Sequence, residues 1–141
     1  MNWASGSQTT GARRRAQLDT DAFKAMLWSH FGAAIRMLEN AIGDCPNSLW
    51  EYRSETRPYW YLAYHTLFFF DLYLSDSPIG FIPPPPFTLP GHAAKEKIPA
   101  NGYSRKQLQE HLEYGRKKCI AMLDALTEEG RFNAVDSIGS T

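Results

Sequence analysis

The sequence predicts an all-α protein, and three observations carry that prediction. Apolar residues recur at spacings of three and four between 23 and 42, and again between 108 and 126, which is the repeat of an amphipathic helix. Between them lies the run RPYWYLAYHTLFFFDLYL, residues 57–74, the most apolar and aromatic stretch of the chain. It has the length of a helix buried on most of its faces. No alternating apolar–polar pattern extends beyond a few residues, so no strand is expected.

Residues 1–18 are rich in Ser, Thr, Gly and Arg without periodicity, and read as a disordered N-terminal tail. The first helix is expected to begin at 19–21, where Asp19, Thr20 and Asp21 are all suited to an N-cap or first turn. Phe23, Met26, Leu27, His30, Phe31, Ala34, Leu38, Ala41 and Ile42 form its stripe, and Gly43, Asp44 and Pro46 end it. Residues 43–56 read as a turn segment anchored by Leu49, Trp50 and Tyr52. The second helix is the aromatic run, with Thr56 or Arg57 at the cap and Pro58 in the first turn, where its missing N–H costs nothing.

Residues 75–102 contain Pro83, Pro84, Pro85 and Pro86 in succession, then Pro90 and Pro99. Four consecutive prolines predict a polyproline II strut. The segment is long for a connection in a small domain. It reads as a strap pinned by Phe81 and Phe87, in preference to a lid or a ligand for a proline-binding module. The third helix opens on an S-x-x-Q capping box, Ser104 and Gln107. It continues through Leu108, His111 or Leu112, Gly115, Cys119, Met122 or Leu123, and Leu126 to about Glu129. The expected organisation is a tail (1–18), a helical bundle domain of three long helices (19–129) and a polar tail (130–141).

Composition narrows the function classes. Lys+Arg and Asp+Glu number 15 each, so the net charge is zero and no long-range field favours nucleic acid. Cys45 and Cys119 lie far apart with no C-x-x-C motif, and are expected as reduced thiols. Cys119 belongs to the buried stripe of its helix and Cys45 to a more exposed turn. The start of the chain has no apolar signal-peptide core. The aromatic run is too short to span a bilayer and is interrupted by His65 and Asp71. These features are those of a cytoplasmic protein.

The chemistry-bearing residues are the histidines. His65 sits among Tyr61, Leu62, Phe68, Phe69 and Leu72 at helical spacing, a hydrophobic wall. His30 shares the face of Phe23, His111 lies on or beside the third helix's stripe, and His92 falls in the strap. Each alone fits a hydrogen-bonded structural role. Together, His30, His65 and His111 would supply the three protein donors of a catalytic zinc-type site if they lay at one depth, although no two share a helix. Asp71, six residues past His65, is rotated away from it and reads as a polar residue near the helix end. Arg53 and Arg57 read as surface residues, and the tyrosines at 59, 61, 64 and 73 as core or pocket lining.

The order of LENAIGDCPNSLW, WYLAYHTLFFFDLYL, a proline-rich strap and YSRKQLQEHLEYGRKKCIAMLDALTEE resembles the DinB-like superfamily, which includes YfiT-type metal hydrolases and thiol-dependent transferases. The resemblance covers about residues 20–129. It implies a bacterial protein with an up-up-down-down four-helix bundle and a long crossover between helices two and three. It further implies a divalent metal, nickel, zinc or iron, held by a helix-two histidine and an H-x-x-x-H pair on the fourth helix. His65 matches the first ligand. No residues match the pair, and the fourth helix is expected to be truncated after Glu129.

A three-helix remnant leaves an apolar groove, so a homodimer is expected. Two functions remain open. One is a metal-dependent hydrolase or thiol transferase acting on a small-molecule or thiol substrate, with His65 as ligand and His30, His111 or a partner chain completing the site. The other is a non-catalytic bundle serving dimerisation or interaction, with His65 a core residue.

Overall fold

A 42-residue helix, α1 (Trp3–Asp44), opens the chain. One turn of helix, α2 (Asn47–Trp50), follows it, then α3 (Tyr59–Tyr73), a 3-10 turn at Lys95–Lys97 and α4 (Arg105–Asp124). The computed structural model describes residues 3–53 and 57–126, and among them there is no strand. The chain is all-α. It divides into two compact units, one made of the residues up to Phe31 and from Ile120 onward, the other of Gly32–Cys119. The helix expected to run to about Glu129 ends at Asp124, with Ala125 and Leu126 outside it. Residues 127–129 and the expected tail at 130–141 lie outside the described residues.

The helix start expected at 19–21 is not one. Ala12, Arg13, Arg14, Arg15, Ala16, Gln17 and Leu18 are among the better helix formers, and helix runs through them without an apolar stripe. Thr20 is an interior residue whose hydroxyl donates to the Ala16 carbonyl at 2.8 Å. Gln17 donates to Asp21 Oδ1 at 3.0 Å, a one-turn pair. In this first unit Leu123 and Thr20 are buried, and Lys24, Ala25, Trp28, Ile120, Leu123 and Asp124 line an open groove of about 330 Å³. His30, placed by its spacing toward the core or its edge, is exposed.

The second unit holds most of the core. From α1 it takes Ile35 and Ile42; Ala34 and Ala41, expected on the buried stripe, are exposed. Arg105, the first residue of α4, closes the end of α1. Its guanidinium donates to the carbonyls of Ile42, Gly43 (3.0 Å) and Cys45 (2.6 Å) and to Asn47 Oδ1 (2.9 Å). A cation on the free carbonyls of a helix C-terminus satisfies both their hydrogen bonding and the helix dipole. Cys45, expected in a more exposed turn, is buried. Burial raises the pKa of the Cys119 thiol, so both its position and its chemistry are those of an inert core residue.

The capping box forms as the sequence predicts. Gln107 N–H donates to Ser104 Oγ at 3.1 Å, and Ser104 N–H to Gln107 Oε1 at 2.9 Å. Leu108, His111, Leu112, Gly115 and Cys119 then face the core. Pro58 is the cap residue of α3, one position before the first helical turn.

The strap does not run as a continuous polyproline strut. The Pro85–Pro86 peptide is cis and the Phe87 N–H donates to the Pro84 carbonyl at 3.1 Å, which turns the chain within the proline run. An X–Pro bond tolerates cis far better than other peptides do, and cis proline belongs to a tight turn. The turn delivers Phe87 to the core, where it stacks on Tyr64 at 5.6 Å and meets Tyr103 edge-on at 4.7 Å.

Candidate functional site

A segment without regular structure must find partners for its backbone polar groups, and prolines supply carbonyls without N–H groups to match. In this chain the partners come from α3 and from the entry to α4. Tyr61 Oη donates to the Pro90 carbonyl at 2.8 Å and accepts from Ala93 N–H at 2.7 Å. Tyr64 Oη donates to the Leu89 carbonyl at 2.6 Å. Tyr103 Oη accepts from the N–H groups of Thr88 and Leu89 at 2.9 and 3.0 Å. Burial raises the pKa of Tyr61 and of Tyr64, keeping both hydroxyls protonated and able to donate. Of the four tyrosines read from sequence as core or pocket lining, Tyr61 and Tyr64 are clasps of the strap, joined by Tyr103. Tyr59 Oη instead donates to the Ala41 carbonyl at 2.6 Å, and Tyr73 is exposed.

Two arginines read as surface residues complete the clasp. Arg57 Nε donates to the Ala93 carbonyl at 3.0 Å, and Arg53 bridges the carbonyls of Ile98 and Pro99 at 3.0–3.1 Å.

His65 lies in the same row. Its Nδ1 is 2.5 Å from the Gly91 carbonyl oxygen. A carbonyl only accepts, so Nδ1 carries the proton, and in the neutral ring Nε2 has the lone pair. The ring is half-buried, tilted on Phe69 at 4.9 Å and edge-on to His92 at 6.0 Å between centroids. Gly91 is required for this approach, because a Cβ there would lie 2.2 Å from the Phe68 ring.

His111 has a different environment. It is buried between Phe87, at 4.5 Å, and Tyr114, stacked at 6.0 Å, with neither ring nitrogen hydrogen-bonded. Burial lowers its pKa, the nearby Asp71 carboxylate partly opposes that, and Lys118 reinforces it. Asp71 lies near the end of α3, as its position suggested, but it does not face solvent. It is buried, with Oδ1 2.5 Å from Lys118 Nζ, and the same ammonium reaches Ser75 Oγ at 2.8 Å. The one signal that could have revealed it was a carboxylate set in the most apolar helix of the chain.

Of the three candidate metal ligands, His65 and His111 belong to the Gly32–Cys119 unit and His30 to the other. Among the described residues, no three His, Cys, Asp or Glu side chains come together in a group able to hold a metal ion. The neighbour the structure gives His65 is instead His92, a histidine that spacing alone left in the strap. No described helix is long and apolar enough to cross a membrane. Comparison with family models, with curated proteins and with solved structures finds no match.

Proposed function

We propose that this chain is a DinB-like helical-bundle protein that binds one divalent metal ion, nickel, zinc or iron, through His65. The observation that carries this reading is the bond from His65 Nδ1 to the Gly91 carbonyl. A metal-ligating histidine characteristically donates its other ring N–H to a carbonyl or carboxylate, which fixes the tautomer and aims the free nitrogen. His65 has that arrangement on a rigid helix, with Nε2 as the donor.

A bound metal supplies Lewis acidity and a lowered pKa for a coordinated water or thiol. That chemistry is the basis for a hydrolase or a thiol-dependent transferase acting on a small molecule. The chain's own part is to hold the imidazole in one tautomer and orientation through the clasped strap.

The test is metal content after loading with nickel or zinc chloride and exhaustive dialysis. Near one ion per chain is expected for the parent, and little for His65→Asn. Equal uptake by the two proteins, both shown folded by circular dichroism, would remove His65 from the site.

A second reading has its own observation. Tyr73, Ile79 and Ile82, where α3 passes into the strap, are 68, 90 and 81% exposed, a large apolar display for a surface of net charge zero. It fits a non-catalytic interaction module that pairs as a homodimer. Light scattering on the purified protein is expected to give a dimer that the double variant Ile79→Lys/Ile82→Lys converts to a monomer. A monomeric parent at tens of micromolar, on the order of where weak interfaces populate, would dismiss this reading.

A further inference from the structure

We propose that His92 is a second ligand, so that His65 and His92 form a two-imidazole site for a divalent transition metal where α3 meets the strap. The inference rests on the reading of His65 as a ligand and adds to it a residue from a different part of the chain.

The two rings lie 6.0 Å apart between centroids. With metal–nitrogen bonds of about 2.0–2.1 Å, two imidazoles sharing a tetrahedral ion have centroids roughly 5 Å apart. The difference is within reach of side-chain rotation at His92, which is exposed. His65 is the fixed partner, held on a helix and bonded through Nδ1. His92 is the adjustable one.

The strap supplies both accessory parts in two consecutive residues. Gly91 provides the carbonyl that sets the His65 tautomer, and His92 provides the second ring. Their placement depends on the strap lying against Phe68, which only a glycine at position 91 allows. Ala93, the next residue, is buried and held from both sides, its N–H by Tyr61 and its carbonyl by Arg57. The backbone on which His92 stands is therefore anchored immediately before and after it.

Two neutral imidazoles with no carboxylate select zinc, nickel, copper or iron over magnesium and calcium. Two protein donors leave the remaining positions of the ion to water or to a substrate thiol or oxygen.

Nickel chloride titrated by calorimetry into the parent, His92→Ala and His65→Asn tests the pair. Asparagine places its amide nitrogen the same number of bonds from Cα as Nδ1, so it keeps the donor to Gly91 while deleting Nε2. The parent is expected to bind one nickel ion, and magnesium chloride to give no binding. His92→Ala is expected to weaken nickel binding by at least the roughly 10–100-fold that loss of an outer-shell partner costs, with an unchanged circular dichroism spectrum. His65→Asn is expected to lose binding. If His92→Ala binds as the parent does while His65→Asn fails, the pairing is overturned and the reading of His65 survives. If the parent binds no nickel, or both variants bind it as the parent does, pairing and reading fall together.

Discussion

Lys118 Nζ stands 2.5 Å from Asp71 Oδ1, and the Asp71 side chain is only 2% exposed. This ion pair joins the C-terminal turn of α3 to α4. It leaves Asp71 Oδ2 buried without a hydrogen bond, so Lys118 carries most of the compensation for the charge. Lys118→Met is expected to destabilise the fold by about 3 kcal/mol, because an unpaired carboxylate in a buried setting is the costly state. The double variant Asp71→Asn/Lys118→Met is expected to recover part of that loss. Urea denaturation of the four proteins of the cycle measures both effects, and additive losses would show that the pair is not coupled.

Glycine substitutions are expected to act with opposite signs in the two units. A Cβ at Gly102 would fall 1.9–2.3 Å from the Trp60 indole, a rigid and fully buried group, whereas a Cβ at Gly11 meets nothing within 4 Å. Gly102→Ala is expected to cost about 1–3 kcal/mol or more through overpacking. Gly11→Ala, inside α1, is expected to stabilise by about 1 kcal/mol through helix propensity alone. Thermal melts of the two variants against the parent check the signs.

The buried imidazole of His111 makes stability pH-dependent in a defined direction. Its folded-state pKa is below the ordinary value of 6.5, so the unfolded chain binds the proton more readily. Stability from this group is complete above pH 6.5 and falls as the pH drops from there toward the folded-state pKa. Asp71, which favours the charged ring, narrows the effect, and Lys118 widens it. His111→Leu removes an unsatisfied buried polar group and this proton linkage together. Its urea midpoint is expected to match or exceed the parent's at pH 7.5, with a smaller loss at pH 5. A parent whose midpoint changes no more than the variant's would contradict the assignment.

Arg105 is expected to resist conservative replacement. A guanidinium can serve the carbonyls of Ile42, Gly43 and Cys45 together with Asn47 while lying 4.9 Å from the Trp50 ring centroid. An ammonium is a point donor that cannot reproduce that fork. Arg105→Lys is expected to cost about 2 kcal/mol, the scale of a lost charge-assisted hydrogen bond or two. Hydrogen exchange is expected to quicken first in the last turn of α1.

Much of this architecture was legible because it is local. The capping box at Ser104 and Gln107, the apolar stripe of α4 and the aromatic length of α3 each depend on residues within a turn or two of one another, and all three appear at the expected places. The start of α1 was misread because the Ala- and Arg-rich residues 12–18 have helix propensity without amphipathic spacing. The exposed His30 was misread because a face shared with Phe23 does not say where packing along that face stops.

By itself the sequence determined an all-α chain, a long proline-rich connection and one histidine centred in the most apolar helix. Helix propensity, capping and proline chemistry act over a few residues, and they suffice for that much. Tertiary structure alone decided what His65 meets. The strap returns 26 residues later to put Gly91 on its Nδ1 and His92 beside its ring. That meeting depends on tyrosine hydroxyls satisfying a backbone short of N–H groups, and on a glycine thin enough to lie against Phe68. It also decided that Asp71 and His111 are buried, because whether a polar side chain faces water or core depends on which helix covers it.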